Sequence, residues 1–459
     1  MKDIVSINPA TDEELARFPQ HTPGQIEALL TRAAAAQAAW ARTPLAERLQ
    51  VLRQVAQVLR ERKQALGLTI TLEMGKPLAE AVGEVEKCAW NFEHYAEAAP
   101  GYLQDQVIAS NATDSRVVYD PVGLVLAVMP WNYPFWQVMR AVAPVLAGGN
   151  GLVLKHASNV PQCALALQQL MQDAGVPDGL FTTVLVDAAG VPALIADPRV
   201  AAVTFTGSTP AGRQIAGLAA QALKKQVLEL GGSDPFIVLA DADVAAAAAV
   251  AVKARFQNTG QSCIAAKRFI VQDAVADAFV HHFCEGVRAL VVGDPQAAGT
   301  TQGSMAKRSL RDELHQQVLA SVREGAQLLL GGQPVEGPGA FYQPAVLDHV
   351  QPQMTVAREE TFGPAAAILR VPDVASAIRV ANDTPFGLGA ALWSQDLEQA
   401  QALVHQLQAG AVFINGMVAS DPRLPFGGSK ASGYGRELGA LGLYEFMQIK
   451  TVWRGPSRA

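Results

Sequence analysis

Cys263 has the setting that most suggests chemistry, and it lies in the stretch FQNTGQSCIAAKR (256–268). A thiol can attack a carbonyl carbon, whereas most cysteines in a fold are simply small buried side chains. Here small and amide-bearing residues surround the thiol, and Gly260 allows the backbone to approach closely. Lys267 and Arg268 would lower the pKa of the thiol if they face it, but they could equally be solvated. This stretch alone supports a nucleophile and a structural thiol about equally.

Glu229 is a lone carboxylate at the end of an apolar run, in LELGGSDP (228–235). Burial at that position would raise its pKa and suit it to act as a general base near neutral pH. The alternative is an ion pair with Lys224 or Lys225, a few residues earlier in the chain. The residues themselves leave both interpretations open.

Asn132 lies between aromatic residues and prolines in MPWNYPFW (129–136), which predicts a turn. A side-chain amide in such a turn can donate a hydrogen bond to an oxyanion as it forms. The alternative is that Asn132 caps the turn with its own side chain, as asparagine commonly does.

The stretch TFTGSTPAGR (204–213) predicts a strand, a turn and a helix, with Pro210 suited to the first helical turn. Free backbone N–H groups at such a helix start favour an anion. The stretch is neither a G-x-G-x-x-G nor a Walker motif, so as a phosphate-binding signal it is weak. The adjacent histidines of HHFC (281–284) would point in different directions on a helix, so we predict no metal site.

The elements that must position these residues change in character along the chain. Residues 23–66 and 69–99 are rich in helix-forming residues with apolar positions at helical spacing, and MGKP (74–77) breaks the pattern. From about residue 117, short apolar runs that end in Gly or Pro alternate with helical stretches. RVVYDPVGLVLAVMP (116–130) is one such run.

This alternation restarts after LELGGSDP and continues to about residue 415. It predicts two α/β domains with mostly parallel sheets, meeting near residue 230. The last stretch, YEFMQIKTVWRG (444–455), predicts a terminal strand. Such a strand needs a partner, either on another subunit or in its own domain.

Composition limits the partners and the compartment. The chain has 459 residues, of which 50% are hydrophobic and 17% charged, so it can bury a substantial core. Its net charge of −6 argues against nucleic acid and anionic membranes as partners. The start, MKDIVSINPATDEE, lacks the apolar core of a secretory signal, and we expect no membrane span. Four widely spaced cysteines fit neither a disulfide framework nor a zinc site, so we expect a cytoplasmic, reduced protein.

Taken together, a series of short motifs resembles the NAD(P)-dependent aldehyde dehydrogenase superfamily. The motifs occur in the family's order along nearly the whole chain; each is modest alone, but the ordered set is highly specific. They are NPAT (8–11), PWNYP (130–134), LKHAS (154–158), FTGSTPAG (205–212), LELGGSDP (228–235), NTGQSC (258–263), EETFGP (359–364), PFGLGA (385–390) and PFGGSKASGYGRE (425–437).

The resemblance implies roles for the candidate residues. Cys263 would attack the aldehyde carbonyl, and the Asn132 amide and the Cys263 backbone N–H would hold the oxyanion of the thiohemiacetal. After hydride transfer to a nicotinamide, Glu229 would activate the water that hydrolyses the thioester. A covalent nucleophile in this way divides one oxidation into two steps with lower barriers.

The resemblance also implies a set of cofactor-binding residues. The Lys of LKHAS would hold the adenosine ribose, the Ser of FTGSTPAG the pyrophosphate and the second Glu of EETFGP the nicotinamide ribose, with the following Phe near the nicotinamide. The full set is Trp131, Lys155, Ser158, Gly207, Ser208, Glu360 and Phe362.

The fold implied by the resemblance is α/β and aldehyde-dehydrogenase-like, with two α/β domains on parallel-sheet cores and a small β element for oligomerisation. Residues 1–102 and 122–229 would form the cofactor-binding domain, and residues 230–424 the catalytic domain. A β-excursion at 103–121 and the terminal segment 444–459 would form the bridging element of a homodimer or homotetramer.

Two details narrow the substrate. Arg140 follows Asn132 by eight residues, on the helix that lines the aldehyde channel in this family, and Ser420 lies in the loop that closes the channel. An Arg and a hydroxyl together can clamp a carboxylate, and Trp136 would flank the pocket. These features resemble succinate-semialdehyde dehydrogenases, particularly the short bacterial form. The longer forms often carry a second Arg where this chain has Gln257, so the strength of carboxylate selection stays open.

Ser158 bears on the choice of cofactor. NAD-preferring relatives usually carry Glu at this position, where it accepts hydrogen bonds from the adenosine ribose. A Glu would face the 2′-phosphate of NADP, and like charges about 4 Å apart near a protein surface repel by roughly 4 kcal/mol. Serine removes that repulsion and Lys155 supplies positive charge, so we predict that NADP is preferred and NAD is used less well.

Other interpretations compete with this one. A broad-range dehydrogenase for small aliphatic or hydroxy-aldehydes would share the same motifs, and Arg140 would then form an ion pair on the helix surface. A CoA-acylating relative is disfavoured, since such enzymes usually lack the water-activating carboxylate that Glu229 supplies. A non-catalytic relative that keeps only the fold is disfavoured because Cys263, Glu229 and Asn132 are all present.

Overall fold

The computed structural model describes residues 3–455, so the predicted ends of the first domain (1–2) and of the bridging element (456–459) lie outside the described residues. The α-helices in this range are α1 (Pro23–Trp40), α2 (Leu45–Met74), α3 (Leu78–Tyr102), α4 (Trp136–Ala147), α5 (Pro161–Asp173), α6 (Val191–Ala196), α7 (Thr209–Gln221), α8 (Val244–Phe256), α9 (Asp273–Arg288), α10 (Arg308–Arg323), α11 (Thr355–Arg358), α12 (Val374–Asn382), α13 (Leu397–Val404) and α14 (Gly439–Tyr444). Between residues 3 and 455, no helix combines the length and apolar character needed to cross a membrane.

The strands are spread along the same range and form several sheets. They are β1 (Ile4–Ile7), β2 (Glu14–Phe18), β3 (Gln106–Val107), β4 (Asp114–Pro121), β5 (Leu124–Met129), β6 (Gly151–His156), β7 (Phe181–Thr183), β8 (Val200–Thr206), β9 (Lys225–Glu229), β10 (Asp234–Val238), β11 (Ala266–Gln272), β12 (Gln327–Leu330), β13 (Ala345–Asp348), β14 (Ala365–Val371), β15 (Phe386–Gly387), β16 (Gly389–Trp393), β17 (Ala411–Ile414), β18 (Ser429–Lys430), β19 (Gly433–Tyr434) and β20 (Met447–Arg454).

The first large sheet has the strand order β19-β9-β8-β5-β6-β7, parallel except for β19. Successive residues of β5 point into two different cores: Val125 and Ala127 pack with α2 to α5, whereas Leu124 and Leu126 pack with α6 and α7. Apolar runs covered on both faces are typical of parallel sheets. The carboxyl ends of β9, β8, β5 and β6 therefore share one edge, which is where α/β sheets bind ligands.

The second large sheet has the order β12-β13-β14-β11-β10-β16-β17 and is parallel except for β12. It also separates two apolar cores. Only residues 230–233 connect β9 of the first sheet to β10 of the second. The predicted α/β class agrees with this arrangement, in which the chain passes from the first sheet to the second near residue 230.

A third sheet joins distant parts of the chain. The terminal strand β20 pairs antiparallel with β4 over eight residues, from Met447 opposite Pro121 to Arg454 opposite Asp114, and β3 pairs with the other edge of β4. The predicted terminal strand is confirmed, although it begins at Met447, because Tyr444 still belongs to α14. Its partner lies in the same chain, in the predicted excursion at 103–121.

Two local predictions have different outcomes. The break at MGKP is confirmed: α2 ends at Met74, Gly75 adopts φ +83° as its left-handed cap, and α3 begins after Pro77. The prediction that residues 116–130 form a single run is wrong. The structure divides it at Gly123, which has φ +126°, into β4 of the small sheet and β5 of the first large sheet.

Candidate active site

Two cavities meet at the Cys263 side chain. The larger, of about 680 Å³, is lined by residues of α3, α4 and α8 and by the loop that carries Ser420. The smaller, of about 540 Å³, lies along the carboxyl ends of β8 and β9 and the start of α7. Cys263 and Gln137 belong to both walls. We call these the substrate cavity and the cofactor cavity.

The loop before Cys263 has an unusual backbone. Asn258, Thr259 and Gly260 have successive φ values of +57°, +54° and +69°. A β-branched residue such as Thr rarely adopts this region, so the surrounding structure must hold it there. A Cβ on Gly260 would lie 2.5 Å from the Gly363 carbonyl oxygen. The predicted close approach at Gly260 is therefore confirmed, and the tight loop leaves the thiol half-buried between the cavities, whereas the other cysteines are buried.

Burial raises the pKa of the Cys263 thiol to about 12, while the positive charges of Arg140 and Lys267 act in the opposite direction. Lys267 is fully buried and its Nζ donates to the Cys263 carbonyl oxygen at 2.9 Å. Arg268 is also buried and donates to the carbonyl oxygens of Ser233 and of two residues at the end of α12. The alternative that these two bases are solvated is therefore wrong.

Asn132 lies in the turn between β5 and α4, beside the thiol loop. Its Nδ2 donates to the Gln261 carbonyl oxygen at 3.1 Å, two residues before Cys263. The start of α4 is capped by another residue, since Glu84 Oε1 accepts from the N–H groups of Phe135 and Trp136. The alternative that Asn132 caps its own turn is wrong, and its amide is held next to the thiol.

Glu229 ends β9 and is 1% exposed, with no hydrogen-bond partner on either carboxylate oxygen. Burial raises its pKa well above the usual range, the charge of Glu437 raises it further, and Arg140 acts to lower it. Lys224 and Lys225 donate instead to backbone carbonyls of other elements, so the predicted ion-pair alternative is wrong. A buried carboxylate without a partner is a stronger base than an exposed one.

Arg140 lies on α4 in the wall of the substrate cavity and is 2% exposed. Its guanidinium forms an ion pair with the buried carboxylate of Glu437, donates from Nη2 to Thr206 Oγ1 at 3.2 Å, and lies 5.1 Å from the centre of the Phe426 ring. An ion pair was the predicted alternative, but it is buried instead of lying on the surface. Within residues 3–455, the structure shows no hydrogen bond between Arg140 and Ser420.

Ser420 and Trp136, the other predicted substrate residues, also line the substrate cavity. The partner of both is Lys87 of α3, whose Nζ donates to Ser420 Oγ at 2.7 Å and lies 4.4 Å from the centre of the Trp136 ring. The predicted residues thus share one cavity, and each has a partner that sequence reasoning did not find. Gln257 lines the same wall.

The cofactor cavity contains most of the predicted cofactor residues. Trp131 and Phe362 meet edge to face with ring centroids 5.6 Å apart, and Gly207 and Ser208 form the turn before α7. Glu360 Oε1 accepts from the Gly232 N–H at 3.0 Å, and burial raises the pKa of the Glu360 carboxyl. Pro210 falls in the first turn of α7, as predicted.

Lys155 and Ser158 lie farther along the same sheet edge. Lys155 is the residue before the last in β6, and Ser158 follows that strand in an exposed turn. Neither lines the cofactor cavity. Because β6 is two strands from β8 in the sheet, they lie about 10 Å along the edge from the turn before α7.

These features fit a dinucleotide. The N-terminus of α7 has no side-chain cap, so its N–H groups remain available to a phosphate at the edge of the cavity. The aromatic pair, Glu360 and Cys263 line the same cavity, and Lys155 with Ser158 lies farther along the sheet edge.

Sequence reasoning missed several residues of this site. Glu437 was the last letter of a quoted motif, so a signal for it was present. Gln137, whose Oε1 is buried without a partner, and Lys87 had no such signal. His281 and His282 are exposed on α9 and both approach Glu285, a contact that the sequence reasoning did not anticipate.

Comparison with known proteins identifies the family of this chain. A sequence model described as the aldehyde dehydrogenase family matches residues 1–452. The chain belongs to the aldehyde dehydrogenase family. Both the resemblance drawn from the motifs and the predicted fold class are confirmed for this dehydrogenase.

Several similar proteins are named for the same substrate. A protein of Synechocystis sp. named "Probable succinate-semialdehyde dehydrogenase", NADP(+) type, is 48% identical over 98% of this chain and 99% of its own length. An Escherichia coli (strain K12) protein named succinate semialdehyde dehydrogenase, NAD(P)+ type, is 47% identical over 98% and 97%. The crystal structure of succinic semialdehyde dehydrogenase from Streptococcus pyogenes in complex with NADP+ superposes with a TM-score of 0.96 and 36% identity, covering 99% of this dehydrogenase and 100% of that chain.

The raised pKa of Cys263 gives a test of the site in the cofactor-free dehydrogenase. Alkylation by iodoacetamide should quicken about tenfold per unit between about pH 7 and pH 9, because each unit below the pKa raises the thiolate fraction tenfold. Cys263→Ala would supply the background from the other thiols. A rate that levels off below about pH 9 would show that the protein lowers this thiol's pKa instead.

Proposed function

We propose that this dehydrogenase oxidises succinic semialdehyde to succinate, with NADP as its preferred cofactor and NAD as a poorer one. The observation that carries the proposal is the substrate cavity, which combines the thiol of Cys263 with a hydroxyl and two sheltered cations, Lys87 and Arg140. A carboxylated aldehyde has the complementary charge. The names of the similar proteins support the same substrate and cofactor.

In the proposed mechanism, Cys263 loses its proton and attacks the aldehyde carbon. Arg140 and Lys267 favour the thiolate, since both charges act to lower the thiol pKa. The Asn132 amide beside the thiol loop donates to the oxyanion of the thiohemiacetal, together with the Cys263 backbone N–H. A fixed amide needs no reorganisation as the negative charge forms.

When bound, a nicotinamide would supply the hydride acceptor, and loss of the hydride from the thiohemiacetal carbon would leave a thioester on Cys263. Glu229 then takes a proton from the water that attacks this thioester. Its burial makes it an effective base, and Arg140 limits the rise of its pKa so that it can still ionise. Succinate leaves and the thiol is restored.

The cofactor residues divide by position along the sheet edge. Trp131, Gly207, Glu360 and Phe362 would flank the nicotinamide half, and Ser208 with the N-terminus of α7 would bind the pyrophosphate. Lys155, whose pKa burial lowers, and Ser158 would contact the adenosine ribose and its 2′-phosphate. Ser158 is exposed and carries no charge, so it does not oppose that phosphate.

We also infer how the chain divides into two domains and a bridging element. Residues 1–102 and 122–229 would form the cofactor-binding domain and residues 230–424 the catalytic domain, which is supported by the distribution of the two large sheets. The β3-β4-β20 sheet would be the bridging element (103–121 and 444–459) of a homodimer or homotetramer. Exposed Ile449 and Trp453 on β20 support that role. A reduced, cytoplasmic setting is supported by four unpaired cysteines.

The substrate proposal predicts a strong preference for a distal carboxylate. We expect kcat/KM for succinic semialdehyde to exceed that for butyraldehyde by about tenfold or more with NADP, because one charge-assisted hydrogen bond contributes roughly 1.5–3 kcal/mol. Butyraldehyde has the same chain length without the carboxylate, so it is the matched control. Equal values would favour the broad-range alternative.

Glu229→Gln should separate the two chemical steps. Acylation needs no base at that position, so a burst of NADPH equal to the enzyme concentration should appear, followed by slow turnover as thioester accumulates. Rapid-quench or stopped-flow measurements would resolve the burst. If acylation and deacylation slowed by the same factor, Glu229 would have a role other than activating water.

Ser158→Glu should reverse the cofactor preference. The introduced carboxylate would repel the 2′-phosphate of NADP and accept hydrogen bonds from the ribose of NAD, so the KM for NADP should rise most. Steady-state KM values for both cofactors, at saturating aldehyde, would measure this. Wild-type enzyme that binds NAD more tightly than NADP would contradict the proposal and place the selection outside this turn.

A further inference from the structure

Lys87 lies in the wall of the substrate cavity and belongs to none of the motifs. Its Nζ donates to Ser420 Oγ at 2.7 Å and faces the Trp136 ring at 4.4 Å from the ring centre. The three residues come from α3, α4 and the loop before β18, so tertiary structure assembles them. A hydroxyl, an aromatic face and an ammonium converge on one part of the cavity wall.

The charge of Lys87 is sheltered but not neutralised. Within residues 3–455 it forms no ion pair, and burial lowers its pKa to about 8. Arg140 on α4 lowers this pKa further, whereas Cys88 and Glu84 on α3 and Asp421 beside Ser420 act to raise it. A desolvated ammonium with only a hydroxyl and an aromatic ring as neighbours is stabilised by an arriving anion.

The other cations of the cavity are in different situations. Arg140 is paired with Glu437 and donates to Thr206, so its charge is already neutralised within the protein. Lys253 lines the same cavity but is exposed, so water screens its charge. Lys87 is thus the cavity-lining cation, within the described residues, that is both sheltered and without a carboxylate partner.

We propose that Lys87, together with Ser420, binds the distal carboxylate of the aldehyde substrate, as a cation additional to the ion-paired Arg140. This assignment rests on the proposed function, since it requires a carboxylated aldehyde. The Ser420 hydroxyl, which accepts from Lys87, can turn its own hydrogen toward a carboxylate oxygen. The Trp136 ring holds the ammonium in place before the substrate binds.

The test compares Lys87→Met with wild-type enzyme on succinic semialdehyde and on butyraldehyde, with NADP. Methionine keeps an unbranched side chain of similar length in the helix. We expect kcat/KM for succinic semialdehyde to fall about 10- to 150-fold, mainly through KM, and that for butyraldehyde to change less than about threefold. Lys253→Met is the matched control: it removes the same charge from the same cavity at an exposed position, and should change neither value more than about threefold.

The pH dependence of KM gives a second test, because it would not change with Lys87 if that residue had only a structural role. Lys87 is charged below its pKa of about 8 and neutral above it, so the free enzyme loses the ammonium as pH rises. The wild-type KM for succinic semialdehyde should therefore rise above about pH 8 while the KM for butyraldehyde does not. In Lys87→Met this selective rise should be absent.

The outcomes separate this inference from the proposed function. Wild-type enzyme without a preference for succinic semialdehyde contradicts the function itself. Wild-type preference that survives in Lys87→Met overturns the assignment of Lys87 alone. A loss in Lys253→Met as large as in Lys87→Met would also overturn the assignment, because the overall positive charge of the cavity would then select the carboxylate and a specific contact with Lys87 would not. We expect Arg140→Met to damage both substrates, because Arg140 also acts to lower the pKa of Cys263 and of Glu229. A loss confined to succinic semialdehyde in Arg140→Met, with Lys87→Met unchanged, would assign the carboxylate to Arg140 alone and overturn the role of Lys87.

Discussion

The buried guanidinium of Arg140 is the charge on which the reaction centre depends. Burial raises the pKa of the Cys263 thiol and of the carboxyls of Glu229 and Glu437, and the charge of Glu437 raises the pKa of Glu229 further. Arg140 acts against all three shifts. Arg140 therefore favours the ionised forms of the nucleophile and of the base in a site that is closed to water. A guanidinium suits this position because it stays charged even when buried.

The fold places Arg140 there through a chain of buried polar contacts. Lys76 Nζ pairs with Glu84 Oε2 at 2.5 Å, and Glu84 Oε1 caps the start of α4. The helix that carries Arg140 therefore begins at a fixed point, directly after the turn that holds Asn132. On the other side, the short connection from β9 to β10 brings the carboxyl edge of the first sheet against the Cys263 loop. The reaction centre thus lies where the two large sheets meet, and residues of both are required to complete it.

The sequence allowed the reacting groups to be predicted but not their neighbours. Cys263, Glu229 and Asn132 lie in motifs with distinctive local composition, and each of the local alternatives to a functional role failed in the structure. The partners of these groups depend on tertiary contacts instead. Lys87 meets Ser420 across 333 positions of sequence, and on a helix with five Glu residues it looks like any solvated lysine. The division of 116–130 into strands of two sheets was expected only through the resemblance, which ended the β-excursion at residue 121; the apolar run by itself gave no sign of it.

The positions of Arg140 and Lys87 explain how one cavity could hold two cations without losing specificity. The charge of Arg140 lowers the pKa of Lys87, so the second cation is unfavourable in the empty cavity. Glu437 neutralises the first within the protein, and on our proposal the substrate carboxylate neutralises the second. An aldehyde without a carboxylate would leave the Lys87 charge uncompensated and would displace the water that partly solvates it. Discrimination would then come as much from the cost of an unpaired ammonium with the wrong aldehyde as from the contact made with the right one.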